Sequence, residues 1–302
     1  MPPRHPSTIL ATCVVPWDEH EQLIETVFRQ EIGHLTNLGI HHLYIFGTAG
    51  EGYAVDTPRF RDVVALFREA TQDTAIRTQV GIMGMSTSQV IERLRIAYDM
   101  GFRAFQISLP AWRTLNDFEL LAYFREICTT FPDCDFLHYN LMSAPRFLTA
   151  ADYRMLVDHV PNLVATKNTA VDPNSLIDLI QRVPELQHFL GEMNYAHGAM
   201  VGECALLPSI SLALPDKMHA LYTSGRDRDV SHLFETQHEL RSFTRTVLGP
   251  LLAQRRIDGA YDKILARLSG LDSMPLRLLS PYQGFSEADY EACKQRYDRW
   301  IE

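Results

Sequence analysis

The stretch Leu163 to Thr169, LVATKNT, carries a lysine near the end of an apolar run that is too short for a helix. Short apolar runs rich in branched side chains and bounded by turn formers are typical of buried strands. A lysine is rarely buried without a partner or a task, because removing its ammonium from water costs more than packing its stem returns. The stretch therefore predicts a buried strand with a functional Lys167, against the alternative of a lysine that only points into solvent.

Outward from this strand, β-rich runs alternate with stretches of helical periodicity, which is typical of parallel strands joined by helices. The other predicted strands are Ser7 to Val15, His42 to Phe46, Ile76 to Gly81, Ala104 to Leu109, Asp135 to Tyr139, Gln187 to Gly191 and Cys204 to Leu207. The resulting eight units predict an α/β fold, a closed (β/α)8 TIM barrel over residues 1–225. Residues 226–302 are predicted to form a helical extension packed on the barrel.

Four helices have predicted bounds that the fold can test. The first joins strands one and two, and the others belong to the C-terminal extension. They are Glu19 to Leu38, Asp229 to Leu248, Leu252 to Leu268 and Ser286 to Ile301. Apolar residues of the first helix recur at helical spacing, and the C-terminal helices are expected to cover one side of the barrel or to form a subunit contact.

Composition limits the possible partners. The chain has 302 residues, of which 46% are hydrophobic and 22% charged, as in ordinary globular proteins. Its net charge of −9 argues against a nucleic-acid or anionic-membrane partner, since both require basic patches. No stretch approaches the roughly 18 apolar residues of a membrane span. The sequence therefore favours a small-molecule partner, with no nucleic acid and no membrane.

The five cysteines are odd in number, scattered and outside any CxxC or His-rich spacing. This pattern predicts reduced thiols, a cytoplasmic location and no metal site. The short apolar run near the start follows Pro2, Pro3 and Pro6 and lacks a small-residue cleavage site, so a first strand is expected there rather than a secretion signal.

Catalytic groups of such barrels lie at the carboxyl ends of the strands. Tyr139 and Lys167 end neighbouring strands at equivalent places, so their side chains are expected to meet in the barrel mouth. A lysine amine in a low-dielectric mouth can attack a ketone and form an iminium, which stabilises the enamine left when a nearby bond breaks. A tyrosine and a hydroxyl residue, Tyr139 and Thr48, have the chemistry to carry the protons.

The turn GTAGE, Gly47 to Glu51, follows the second predicted strand. Its glycines allow close backbone approach, and free N–H groups in such a turn can bind an anion, so a carboxylate cradle is predicted. The alternative is a tight turn without a ligand. The GxGxxG spacing of a dinucleotide site is absent.

Together, GTAGE, the dipeptide Tyr139, Asn140 and the strand-borne Lys167 resemble the dihydrodipicolinate synthase and N-acetylneuraminate lyase family of class I aldolases. The likeness runs nearly end to end and includes Val80 to Pro110 and Lys263 to Pro281. The resemblance implies that Lys167 is the Schiff-base lysine and Tyr139 the proton-transfer tyrosine, with Thr48 as its hydroxyl partner. It also implies a homodimer or homotetramer that needs no cofactor.

The resemblance further implies which backbone groups line the pocket. The backbone at Thr48 and Ala49 would hold the substrate carboxylate, and Gly191 and the backbone of Leu207 would line the same pocket. Trp112 is a candidate for stacking on a substrate, with an interface or core role as the alternative.

The sequence departs from the two named enzymes at several specificity positions. Ala49 stands where dihydrodipicolinate synthases have a second hydroxyl, and Ala111, Trp112 replaces their tyrosine pair. Their carboxylate-binding arginine falls at Ala144, with Arg146 two positions away as a candidate polar contact. The acidic pair of sialic acid lyases is replaced by Met193 and Asn194. These changes argue against both specificities and predict a less polar pocket.

The sequence thus predicts a Schiff-base lyase or aldolase that acts on a 2-oxo acid, with pyruvate as donor or product, and makes or breaks a C–C bond. A dehydratase or hydratase-aldolase of a 2-oxo deoxy sugar acid would use the same lysine. A catalytically silent paralogue that binds an oxo acid is the alternative from another class, and the intact Lys167, Tyr139 and Thr48 speak against it.

Overall fold

A computed structural model describes residues 4–72, 74–168 and 172–302; Thr169 of the opening stretch lies outside them. Eight parallel strands form one sheet in sequence order. They are β1 (Leu10–Thr12), β2 (His42–Ile45), β3 (Arg77–Gly81), β4 (Ala104–Ile107), β5 (Asp135–Asn140), β6 (Leu163–Asn168), β7 (Gln187–Leu190) and β8 (Ala205–Leu206). Ile9 pairs with Leu206, whose N–H donates to the Thr8 carbonyl at 3.0 Å, so the sheet closes. The predicted TIM barrel with C-terminal helices is confirmed.

Helices join the strands and continue after the last one. Between strands lie α1 (Glu25–Asn37), α2 (Thr57–Thr71), α3 (Thr87–Asp99), α4 (Asp117–Thr130), α5 (Ala150–Val157), α6 (Pro173–Arg182) and α7 (Glu192–Val201). After β8 come α8 (Pro215–Asp227), α9 (Val230–Phe243), a π-helical turn (Thr244–Leu248), α10 (Gly249–Leu252), α11 (Asp258–Leu268) and α12 (Glu287–Ile301). Side-chain caps such as those of Asp56 and Ser86 satisfy first-turn N–H groups and fix where helices begin.

The N-terminal elements are shorter than the sequence predicts. The N–H of Val14 donates to the Glu31 carboxylate at 2.7 Å instead of a neighbouring strand, so β1 ends at Thr12. Asp18 accepts from the N–H groups of His20 and Gln22 at 2.8 Å each. These bonds build a turn before α1, which therefore begins at Glu25 and not at Glu19.

Two helices of the C-terminal extension also have bounds that differ from the predicted ones. The predicted helix Asp229 to Leu248 gives way to the π-helical turn after Phe243, and the predicted start at Leu252 moves to Asp258. Arg255 between them has a φ of +53°, a left-handed conformation that interrupts a right-handed helix. The division predicted at residue 226 falls in the last turn of α8 and stays a prediction.

Two packing contacts place the extension on the barrel. The Tyr297 hydroxyl of α12 donates to the Ala213 carbonyl at 2.9 Å. At the start of α11, a Cβ added to Gly259 would lie 3.1 Å from the Ala49 carbonyl oxygen. The first turn of α11 therefore lies directly against the GTAGE turn, at the carboxyl end of the strands.

Apolar side chains form the layer between strands and helices and a smaller cluster inside the barrel, where Gln79, Gln106 and Gln187 are buried on the same inward face. The interior cluster is formed by Leu10, Tyr44, Leu137, Val164, Ala165, Phe189, Ala205 and Leu207. All five cysteines are buried free thiols, as the reduced-thiol prediction requires. In the described ranges, no helix has the length and apolarity to cross a membrane.

Candidate active site

Lys167 and Tyr139 meet at the carboxyl ends of β6 and β5. The two residues are register partners on adjacent strands, which puts both side chains on the same face. The Lys167 Nζ donates to the Tyr139 hydroxyl at 3.1 Å and lies 4.4 Å from the centre of its ring. Only 5% of Lys167 and 2% of Tyr139 are exposed. The two predicted residues are therefore brought together in a largely dehydrated position.

The charge on Lys167 depends on opposing influences. Burial is the largest influence and lowers the pKa of Lys167, whereas interactions with Tyr139 and Tyr44, together with Asp258, raise it. The net direction of the Lys167 pKa is upward. The interactions with the two tyrosines and Asp258 thus oppose the effect of burial, which is the only influence on the pKa of Lys167 that the sequence-based argument includes.

Carboxyl groups on two helices interact electrostatically with Lys167. Asp258 and Asp262 project from α11, and Glu192 begins α7 and accepts from the N–H of Ser209 at 3.1 Å. Burial raises the pKa of Glu192 and also raises the pKa of Asp262 well above its ordinary value, while the charge of Lys167 opposes both shifts. Burial thus favours the neutral form of both carboxyls.

The GTAGE turn leaves backbone donors free. Within the described ranges, no acceptor is found for the backbone N–H groups of Thr48 and Ala49. A Cβ on Gly50 would lie 2.7 Å from the backbone nitrogen of Phe46, so the tight turn requires glycine there. Two neighbouring free N–H groups suit a carboxylate. In the same part of the chain no hydrogen bond joins the Thr48 hydroxyl to Tyr139, so that relay stays a prediction.

A buried ion pair anchors the same turn to α11. Lys263 Nζ donates to the Glu51 carboxylate at 2.8 Å, and both side chains are fully buried. Glu51 also accepts from the Trp17 indole at 3.1 Å and from the N–H of Leu279 at 2.6 Å. Three elements distant in the sequence thus hold one carboxylate, and with it the conformation of the turn.

A chain of neutral side chains joins the ends of the strands that carry Tyr139 and Lys167 to the next strand, β7. Asn140 donates to Asn168, Asn168 donates to Thr166, and Thr166 bonds to His188 Nδ1, each at 2.9 Å. His188 Nε2 lies 3.0 Å from the Val183 carbonyl, which can only accept, so Nδ1 accepts from Thr166. Burial lowers the pKa of His188 to about 4, which keeps the ring neutral as this arrangement requires. The chain spans β5, β6 and β7.

A cavity of about 500 Å³ opens beside the GTAGE turn. Thr48, Ser108, Ala111, Leu141 and Ala144 are among its lining residues, so it lies at the carboxyl ends of the strands from β2 to β5. The cavity is large enough for a small-molecule substrate.

The remaining predicted residues are spread around the mouth. Gly191 is the N-cap residue of α7, and the buried Leu207 donates its N–H to the Leu190 carbonyl at 2.9 Å. Trp112 is 87% exposed, and Arg146 bonds to Asp117 and Asp152. Neither Trp112 nor Arg146 is among the residues lining the cavity, and their substrate roles stay predictions.

Sequence reasoning missed Tyr44, Asp262 and the Glu51–Lys263 pair. Strand alternation could have identified Tyr44 as an inward residue of β2. The other contacts join residues on opposite halves of the chain and leave no local signal. Over the described ranges, no cluster of His, Cys, Asp and Glu could hold a metal ion.

Two relatives show what the chain is similar to in sequence. The chain is 24% identical to N-acetylneuraminate lyase of Rhizobium meliloti over 294 residues, covering 95% of this chain and 93% of the relative. It is also 24% identical to a probable 5-dehydro-4-deoxyglucarate dehydratase of Rhodococcus jostii over 220 residues, covering 72% and 67%. Its relatives thus include both a lyase and a probable dehydratase.

Solved structures share the fold at low identity. A prophage protein of the dihydrodipicolinic acid synthase family from E. coli, solved with pyruvate, matches with a TM-score of 0.85 at 16% identity and 98% coverage of both chains. Dihydrodipicolinate synthase from Bacteroides thetaiotaomicron matches with a TM-score of 0.86 at 16% identity, covering 97% and 98%. The model of the Dihydrodipicolinate synthetase family matches residues 5–293. With nearly its whole length matched, the chain belongs to the dihydrodipicolinate synthetase family.

Proposed function

We propose that this protein is a Schiff-base lyase or aldolase that acts on a 2-oxo acid through Lys167, with pyruvate as donor or product. The observation that carries the proposal is the buried contact between Lys167 Nζ and the Tyr139 hydroxyl at 3.1 Å. An amine beside a phenol in a dehydrated mouth has both the nucleophile and the proton carrier that imine chemistry needs. Family membership and the pyruvate complex of the E. coli relative support it.

The proposed sequence of steps uses groups already in place. The N–H groups of Thr48 and Ala49 bind the carboxylate, and Lys167, after losing a proton, adds to the keto carbon. The carbinolamine then loses water, which consumes one proton, and an iminium remains on Lys167. As the Tyr139 phenol takes a proton from the adjacent carbon it passes its own proton to water, which gives the enamine in the synthetic direction, and the same relay runs in reverse in the cleavage direction.

A dehydratase or hydratase-aldolase is the second candidate. It would form the same iminium on Lys167 but expel water from the substrate instead of breaking a C–C bond. The likeness to the probable dehydratase of Rhodococcus jostii favours keeping this candidate. A silent oxo-acid-binding paralogue would not need the buried contact between Lys167 and Tyr139.

Borohydride trapping followed by intact-protein and peptide mass spectrometry tests the proposal. Pyruvate should leave a reduced adduct on Lys167 in the wild type, and the Lys167→Ala variant should show neither adduct nor turnover while keeping its circular dichroism spectrum. Full turnover of the Lys167→Ala variant would exclude the mechanism. Adduct formation without turnover on any aldol or dehydration substrate would favour the silent paralogue.

We further propose that the enzyme needs no cofactor, acts in the cytoplasm and forms a homodimer or homotetramer. The lysine itself supplies the electron sink, so the chemistry asks for no additional group. The oligomer is supported by Trp112 and Phe118, two large apolar side chains near the mouth that are 87% and 89% exposed in the single chain. Sedimentation showing only monomer at micromolar concentration would contradict the oligomer.

A further inference from the structure

Asp262 carries a carboxyl group that α11 buries beside the barrel interior. The residue is 3% exposed, and its carboxyl group interacts electrostatically with Lys167. In the described ranges no salt bridge or hydrogen bond is found for this carboxyl group, and the neighbouring Lys263 pairs with Glu51 instead. A buried carboxyl group without such partners costs stability, and a buried acid near a reactive group is a candidate for a role in the reaction.

A cavity of about 10 Å³ adjoins this carboxyl group. Thr12, Ser209, Ser211 and Asp262 are among its lining residues, and three of these four carry hydroxyl groups. A polar space of this size holds about one water molecule, provided that a few polar groups can bond to it. One water can therefore connect the Asp262 carboxyl group to the Thr12 hydroxyl.

Thr12 connects the small cavity to the inside of the barrel. Thr12 and Tyr44 are register partners on β1 and β2, so their side chains lie on the same inward face. The Thr12 hydroxyl is a hydrogen-bonding neighbour of the Tyr44 phenol. Tyr44 is 2% exposed and interacts electrostatically with both Lys167 and Tyr139.

The first glycine of the GTAGE turn fits against the Tyr44 ring. A Cβ on Gly47 would lie 2.6 Å from Cε2 and 3.1 Å from the hydroxyl oxygen of Tyr44. Any larger residue at position 47 would therefore displace the ring, because a close-packed interior leaves no room for it. The Tyr44 hydroxyl thus lies against the turn at the carboxyl ends of the strands, the end of the barrel that carries Lys167.

From these contacts we infer that Asp262 takes up the proton that Lys167 loses before it attacks the substrate. The hydroxyl groups of Tyr44 and Thr12, together with one water in the small cavity, connect the two residues. The inference rests on the proposed function, because it concerns the deprotonation of the same lysine.

The transfer moves one proton from Lys167 to Asp262. The Lys167 Nζ, which bonds to Tyr139 in the structure, turns on its flexible stem to the Tyr44 oxygen and gives up a proton there. Tyr44 passes its own proton to Thr12, Thr12 passes its own to the water, and the water protonates the Asp262 carboxylate. The amine and the acid are then both neutral, and the proton returns along the same groups when the carbinolamine hydroxyl leaves as water.

Borohydride trapping with pyruvate, stopped at successive times and followed by mass spectrometry, measures how fast the Lys167 adduct forms. Asp262→Asn keeps the shape of the side chain but cannot take up the proton, so it should slow adduct formation about tenfold or more. Thr12→Val should slow it similarly, and Thr12→Ser, which keeps a hydroxyl, should recover most of the rate. Glu31→Gln is the matched control, because Glu31 is fully buried but accepts from the Val14 N–H, and it should leave the rate unchanged.

Chemical rescue separates proton transfer from a purely structural role. Asp262→Ala should be as slow as Asp262→Asn, and added formate should restore part of its rate by supplying a carboxylate in the space of the missing one. Chloride at the same ionic strength should restore nothing. Circular dichroism checks that each variant is folded, and the Thr12 variants give the same test without any change at Asp262.

The outcomes for the wild type and the variants are distinguishable. If the wild type forms the Lys167 adduct and either Asp262→Asn or Thr12→Val forms it equally fast, the relay is refuted and the Schiff-base function stands. A loss in Glu31→Gln equal to that in Asp262→Asn, or no rescue by formate, also refutes the relay. If the wild type forms no adduct, the proposed function is refuted together with the relay.

Discussion

Replacing Lys263 with methionine should strongly destabilise the fold, because it strands the buried carboxylate of Glu51. Both side chains of the pair are fully buried, and the Lys263 ammonium lies 2.8 Å from Glu51. Removing one partner of a buried pair costs about 3–5 kcal/mol of unfolding free energy. Trp17 and the Leu279 N–H still donate to Glu51, so we place the loss near the lower end, at about 3 kcal/mol.

Equilibrium urea unfolding followed by circular dichroism measures this loss. Lys217→Met is the matched control, since Lys217 pairs with Glu239 at 2.6 Å on the surface and such pairs contribute about 0–1 kcal/mol. The double variant Glu51→Gln/Lys263→Met removes both charges and should recover part of the loss. A Lys263→Met loss below about 1 kcal/mol, equal to that of the surface control, would refute the reasoning.

The pH dependence of the same variant gives an independent check. Burial already raises the pKa of Glu51, and Lys263 opposes that shift in the wild type. Without Lys263 the folded-state pKa of Glu51 rises further above its unfolded value, so the folded protein binds the proton more tightly. Stability contributed by such a group is present at low pH and is lost as pH rises through the folded pKa. The destabilisation of Lys263→Met should therefore be larger at pH 8 than at pH 5.

Three further predictions concern the mouth of the barrel. Tyr139→Phe should lower kcat by about 10²-fold or more, as expected for the loss of a proton-transfer group. Tyr153→Phe is the control, because it removes an equally buried phenol that is bonded to a histidine, and it should leave kcat unchanged. Equal losses of kcat in the two variants would contradict a specific role for Tyr139. Asp262 is 3% exposed and burial raises its pKa, so Asp262→Asn should stabilise the protein at pH 8 relative to the wild type and lose that advantage toward pH 5, as followed by urea unfolding. Trp112→Ser should shift sedimentation toward monomer, and an unchanged oligomer would show that this side chain lies outside the interface.

The sequence determined the barrel and its central pair through local patterns. Each βα unit can be predicted from a local pattern, because a strand needs only a few apolar residues and a helix only one periodic apolar face. Equivalent places on neighbouring strands then put Tyr139 beside Lys167, because parallel register repeats from strand to strand. The GTAGE turn could be identified for a related reason, since its glycines are needed by the backbone of the turn itself.

Only the tertiary structure decided the electrostatic environment of the site and which residues line the cavity. The upward pKa of Lys167 depends on Tyr44, Tyr139 and Asp258, which come from three distant segments. Glu51 and Lys263 form their ion pair although they lie 212 positions apart in the sequence. The later start of α11 depends on the left-handed backbone conformation of the single residue Arg255. Electrostatic interactions depend on the distance between groups in space and on their burial, and neither quantity can be predicted from the spacing of residues along the chain.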